Sequence, residues 1–197
     1  MDKFLSQNLN YEALLNLAPN PSFEDDEQGI NGWYPLGIVV EESTLLKLAN
    51  GISHTGKKSM KVEVGPSGPT KGKLYFSSYN AGEGERQSEG YNGVRGVRTI
   101  AYRLDRDIRA LKASVWIKSP NSSDIQLQIK WYSRNGRRKP VELTHTDTSF
   151  EITESQEKWT KYEIESIRPH LTHQAQLCIE TTGDEPFYVD DVYIVFP

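Results

Sequence analysis

The chain has 197 residues, with 23 Lys and Arg against 27 Asp and Glu and a formal net charge of −4 at pH 7. That length suits one domain with a sizeable core, and the acidic balance disfavours a phosphate backbone as partner. The single cysteine, Cys178, excludes an intrachain disulfide and any multi-thiolate zinc centre.

Residues 1–16 stand apart. Phe4, Leu5, Leu9, Tyr11, Leu14 and Leu15 recur on a loosely helical spacing, which predicts a short helix or linker ahead of a domain over 17–197. Residues 1–11 lack a basic n-region and an apolar h-region, so no signal peptide is expected. No stretch approaches the ~20 apolar residues of a membrane helix, and no membrane partner is expected.

From Asn20 onward the pattern is strands and turns. Residues 59–64 alternate Met60, Val62 and Val64 against Ser59, Lys61 and Glu63. The same period of two runs through 73–77, 99–104, 111–118 and 125–132, and further strands are expected at 141–143, 159–164, 174–180 and 187–196. Asn135-Gly136 marks a hairpin turn, because both residues tolerate positive φ. Residues 65–72 and 80–93 read as long loops, the second bordering a binding face and mobile when empty. No helical period separates the strands, so the predicted fold is all-β, an antiparallel two-sheet sandwich.

Alternation also nominates a site. In 111–118 the apolar phase is Leu111, Ala113, Val115 and Ile117, which turns Trp116 outward. In 125–132 it is Ile125, Leu127, Ile129 and Trp131, which turns Gln126, Gln128 and Tyr132 outward. If these two strands pair, the four residues share one surface, with Tyr75 and Gln176 in the same phase elsewhere. An aromatic ring takes the C–H face of a sugar, and amides take its hydroxyls. The reading is a carbohydrate-binding surface on which Trp116, an exposed ring, is dispensable for stability. Lys118 and Lys130 on that face leave uronic-acid polymers open beside neutral ones. Trp33, Trp131 and Trp159 read as core.

Three segments in order carry a resemblance. They are Asn20-Pro21-Ser22-Phe23-Glu24 with Gly32-Trp33 after it, His54-Thr55-Gly56-Lys57-Lys58-Ser59-Met60-Lys61-Val62, and Phe187-Tyr188-Val189-Asp190-Asp191-Val192. Together they resemble the jelly-roll carbohydrate-binding modules of families four, nine, sixteen and twenty-two, across residues 17–197. The resemblance implies a jelly roll of the galactose-binding-domain type. It also implies a structural calcium held by Glu24, Asp190 and a backbone carbonyl near Lys57. Calcium takes six to eight oxygen ligands. Read from the residues alone, Asp190 and Asp191 could instead cap the strand or pair with a cation.

Catalytic signatures are weak. His170 and His173 lack a third ligand nearby, no G-x-S-x-G elbow occurs, and Asn121 heads a glycosylation sequon by pattern only. The expectation is a non-catalytic polysaccharide-binding module with no nucleic-acid partner, an accessory domain of a larger glycan-active or adhesive protein. It would act outside the cell, at a cell surface or on a virion. A structural jelly roll of a phage tail or cell-surface protein is the alternative, and a small glycan lyase or hydrolase the third.

Overall fold

The computed structural model describes residues 16–36, 38–39, 46–63, 72–74, 86–88, 95–99, 102–121, 125–134, 141–181 and 185–197. Every regular element among them is a strand. In chain order these are β1 (Trp33–Leu36), β2 (Ile38–Val39), β3 (Leu46–Asn50), β4 (Lys58–Val62), β5 (Gly72–Leu74), β6 (Arg86–Ser88) and β7 (Arg95–Thr99). There follow β8 (Tyr102–Arg103), β9 (Ala110–Ser119), β10 (Ile125–Arg134), β11 (Val141–Ile152), β12 (Gln156–Ile167), β13 (Thr172–Thr181) and β14 (Phe187–Val195).

Two antiparallel sheets carry the fold, as the alternation predicts. One runs β1, β7, β13, β10, β11, with β8 also paired to β13, and is six-stranded. The other runs β12, β9, β14, β4, β3. A small third sheet joins β2, β5 and β6. Residues 80–93, read as a loop, therefore include a strand, Arg86–Ser88, while most of that segment and of 65–72 lies outside the described residues. So does all of 1–16 except Asn16.

The core lies between the two large sheets. Leu111, Ala113, Val115 and Ile117 of β9 and Val189 and Ile194 of β14 face Leu127, Ile129 and Trp131 of β10 and Leu177 and Ile179 of β13, all without exposed surface. Each Leu or Ile buried this way contributes about 1.5–3 kcal/mol. Trp131 crosses from one sheet to the other, where its Nε1 donates to Ser166 Oγ of β12 at 2.6 Å. The bond satisfies a polar group that would otherwise be stranded in the core.

Trp33 is also core, as expected, packed on Phe23 and donating through Nε1 to the Pro19 carbonyl. Trp159 is not. It is half-buried outside the core, and its ring stands edge-on to His54. A register shift between Gln156 and Thr160 in the β12–β9 pairing breaks the period there. Past a bulge, alternation cannot be carried through.

The opening motif holds the chain ends together. The Asn20 side chain donates to the Asp25 and Gly29 carbonyls and accepts from the Asp25 N–H. The turn it closes buries Phe23 completely and swings Glu24 outward. The Pro21 carbonyl accepts from Val192 N, and the Asn16 amide bonds to both Val192 and Ile194, tying the first described residues to β14.

Candidate functional site

Strand β9 pairs with β12 and β14, whereas β10 pairs with β11 and β13. The outward residues of β9 and β10 therefore lie on opposite outer faces of the sandwich. Trp116 and Lys118 do not share a surface with Gln126, Gln128 and Tyr132, which corrects the expectation. Nor is Trp116 an open platform. His54 stacks on it at 3.6 Å between centroids and 15° between planes. Tyr75 lies outside the described residues.

The outer face of the six-stranded sheet does gather the others. Register sets Tyr132 beside Gln174, Lys130 beside Gln176, Gln128 beside Cys178 and Gln126 beside Glu180. On its other side Gln126 meets Glu151 of β11. Arg103 of β8 stands beside Gln174, and Tyr34 of β1 presents a ring 42% exposed.

Hydrogen bonds order this face. Gln128 Nε2 donates to Gln126 Oε1 at 2.8 Å, and Gln126 Nε2 donates to Glu151 Oε1 at 2.7 Å. Gln176 is buried with its Nε2 committed to the Thr99 carbonyl, so it supports the face rather than reaching out of it. Lys130 Nζ pairs with Glu180 Oε1. Lys130 sits two residues to one side of the Gln128–Cys178 level and Glu180 two residues to the other. The bridge accordingly spans that level, which accounts for an outward-phase Cys178 with no exposed surface and a Gln128 only 6% exposed.

Sequence reasoning missed Tyr34, Glu151 and the Lys130–Glu180 bridge. Tyr34 had a usable signal: once Trp33 is assigned to the core, its neighbour in a strand must face the other way. Glu151 required the β10–β11 register, which shifts twice.

The residues implied to hold calcium meet at the β3–β4 turn. Glu24 Oε1 accepts from Lys57 N at 2.7 Å and Lys58 N at 2.6 Å, and these two N–H groups, Lys57 first, hold its pKa below the ordinary value. Asp190 has no exposed surface. Its Oδ2 accepts from His54 N and Thr55 N and its Oδ1 from Asp191 N. Burial pushes its pKa up to about 6, against the pull of those N–H groups, and the neighbouring Asp191 charge adds to the rise. Asp191, held at φ 42°, receives Thr55 Oγ1 and contacts His54 Nδ1 at 2.6 Å. Gly56 at φ 62° lets the loop close over Glu24, since a Cβ there would fall 2.5 Å from Glu24 Oε1.

The fit to calcium is partial. Two hard carboxylates converge on one loop, and no ion pair to Asp190 is present among the described residues. The Lys57 carbonyl, however, accepts Gly51 N–H across the hairpin, while it is the Lys57 N–H that faces Glu24. Among the described residues no three His, Cys, Asp or Glu side chains cluster to hold a metal.

No family model and no curated protein matches the chain. Solved structures do. A xylan-binding domain of carbohydrate-binding module family 22 superposes with a TM-score of 0.58 at 12% identity, covering 92% of this chain and 95% of that one. A family 16 carbohydrate-binding module gives 0.53 at 12%, covering 91% and 99%. The tailspike protein 4 enzymatically active domain of bacteriophage CBA120 gives 0.59 at 11%, covering 93% of this chain and 22% of that one. The module–catalytic-domain structure of a Clostridium thermocellum xylanase, complexed with xylohexaose, gives 0.54 at 17%, and this chain spans 28% of its length. The chain has the jelly-roll fold of these carbohydrate-binding modules.

Proposed function

We propose that the chain is a non-catalytic module that binds a neutral polysaccharide across the outer face of the six-stranded sheet. The observation that carries the reading is the gathering on that face of Gln126, Gln128, Gln174 and Gln176 beside Tyr132. Lys130 is paired with Glu180, and Glu151 stands at the edge, two carboxylates that an acidic sugar would have to approach, while Arg103 beside Gln174 and Arg98 at the register position beside Cys178 make the polyuronate arm of the titration the deciding one. The fold shared with a xylan-binding domain supports a sugar as the partner.

Tyr34 and Tyr132 are about 20 Å apart by strand spacing and rise, enough for several sugar rings. One ring stacked on a tyrosine hides on the order of 100 Å², or about 2.5 kcal/mol. Two such contacts with hydrogen bonds, less association costs, leave about 4–7 kcal/mol, a Kd from about millimolar to ten micromolar.

A structural calcium belongs to the same reading, with Glu24 and Asp190 as its carboxylate ligands. Its contribution would be to neutralise two carboxylates on one loop, and sugar contact does not pass through it.

Calorimetric titration against soluble xylan, β-glucan, mannan, galactan and a polyuronate tests the proposal. Binding to at least one neutral polymer is expected, and binding to the polyuronate alone would overturn it. The likeness to a tailspike domain favours a second reading, a module of a viral tail. Self-assembly without glycan binding would select that reading, and release of new reducing ends would select catalysis.

A further inference from the structure

Among the described residues, the outer face of the six-stranded sheet holds one buried polar atom without a partner. Gln128 Oε1 is buried with no hydrogen-bond partner among the described residues. An acceptor left so costs a folded protein stability, and in native structures it points to a missing partner.

Its orientation is forced by chemistry. The Glu151 carboxylate can only accept, so Gln126 must turn Nε2 toward it. That leaves Gln126 Oε1 to accept from Gln128 Nε2. Gln128 Oε1 is thereby turned away from Gln126, beneath the level that the Lys130–Glu180 bridge spans. One carboxylate at the sheet edge thus sets the polarity of two amides in a row.

We propose that Gln128 Oε1 is the acceptor for a ligand hydroxyl, that Glu151 is the positioning residue that keeps it an acceptor, and that the Lys130–Glu180 bridge moves aside to admit the sugar. This rests on the reading of the face as a glycan site and deepens it. The ligand must donate at this point, which a free hydroxyl does and an ether oxygen or an ionised carboxylate does not. The preferred substrate class is a neutral glycan with unsubstituted hydroxyls.

The test is titration of the full chain with native and O-methylated preparations of the same soluble xylan, β-glucan, mannan and galactan. Wild type should bind at least one native polymer and lose about tenfold or more on methylation. Gln128→Met should weaken native binding about tenfold while keeping its melting temperature or raising it, because the unpaired acceptor is gone. Glu151→Gln frees the amides to reverse. It should leave melting unchanged, narrow the native-to-methylated ratio, and shift the side-chain amide resonances of both Gln126 and Gln128. Wild-type discrimination that Gln128→Met and Glu151→Gln both retain overturns this inference and leaves the glycan site standing. Failure of wild type to bind any native polymer overturns both.

Discussion

Trp116→Ala separates the two faces of the sandwich. The indole stands on β9, one strand in from the edge of the five-stranded sheet, opposite Asp190 on one side and Lys161 on the other, with His54 stacked on it at 3.6 Å. Removing the ring forfeits a stacking term of about 0.5–1.5 kcal/mol. It also exposes on the order of 100 Å² of apolar contact, worth about 2.5 kcal/mol. The sum, about 3–4 kcal/mol, corresponds to a fall in melting temperature of roughly 6–15 °C for a domain of this size. A double-mutant cycle with His54→Ala, followed by urea unfolding, should return a coupling of about 0.5–1.5 kcal/mol. Glycan affinity should be unchanged, since the ring lies on the far side of the core from Gln126 and Tyr132. Loss of binding with melting unchanged would refute this account and restore Trp116 as the sugar platform.

Three further outcomes are expected. Gly56→Ala should destabilise by about 1–3 kcal/mol in thermal melts, since φ 62° strains an alanine and its Cβ would strike Glu24; Glu24→Ala in the same chain should recover part of the loss. With EDTA present, the Asp190 contribution to stability, read as wild type against Asp190→Asn, should fall as pH rises from about 4 to 6, because the folded state holds the Asp190 proton up to about 6 against an ordinary 3.8, whereas Glu24, Glu63 and Glu163, with lowered pKa values, act in the opposite sense. That penalty is fully present above pH 6 and on the order of 3 kcal/mol at most; saturating calcium should raise melting at neutral pH, and an Asp190→Asn chain with an unaltered pH profile would dismiss the assignment. Affinity for a neutral glycan should stay flat or rise with salt, because binding opens one ion pair and forms none, whereas a steep decline would indicate an anionic ligand.

Much of the fold was legible because alternation reports which side chains leave water. It placed Leu111, Ala113, Val115 and Ile117 and Ile125, Leu127, Ile129 and Trp131 in the core, where the structure puts them. Alternation does not report which sheet a strand joins. Strands β9 and β10 follow one another and have the same inward period, yet they belong to different sheets, so their outer faces part company. The phase of Trp159 failed for a local reason, the register shift beside it. Cys178 occupies an outward position of β13 and is buried for a reason no pattern of two contains: long side chains from Lys130 and Glu180 reach across it from a diagonal pair of positions. Glu24 and Asp190 were legible as partners of one loop, although that loop offers them N–H groups where a carbonyl was expected from Lys57.

The central claim is that sugar is bound by the six-stranded sheet, and side-chain NMR during a glycan titration tests it most directly. Indole N–H signals report Trp116 and Trp159 on one outer face, and amide signals report Gln126 and Gln128 on the other. Saturable shifts are expected in the two glutamine amides, with both outer indoles unmoved. Shifts in Trp116 and Trp159 with the glutamines silent would contradict the claim.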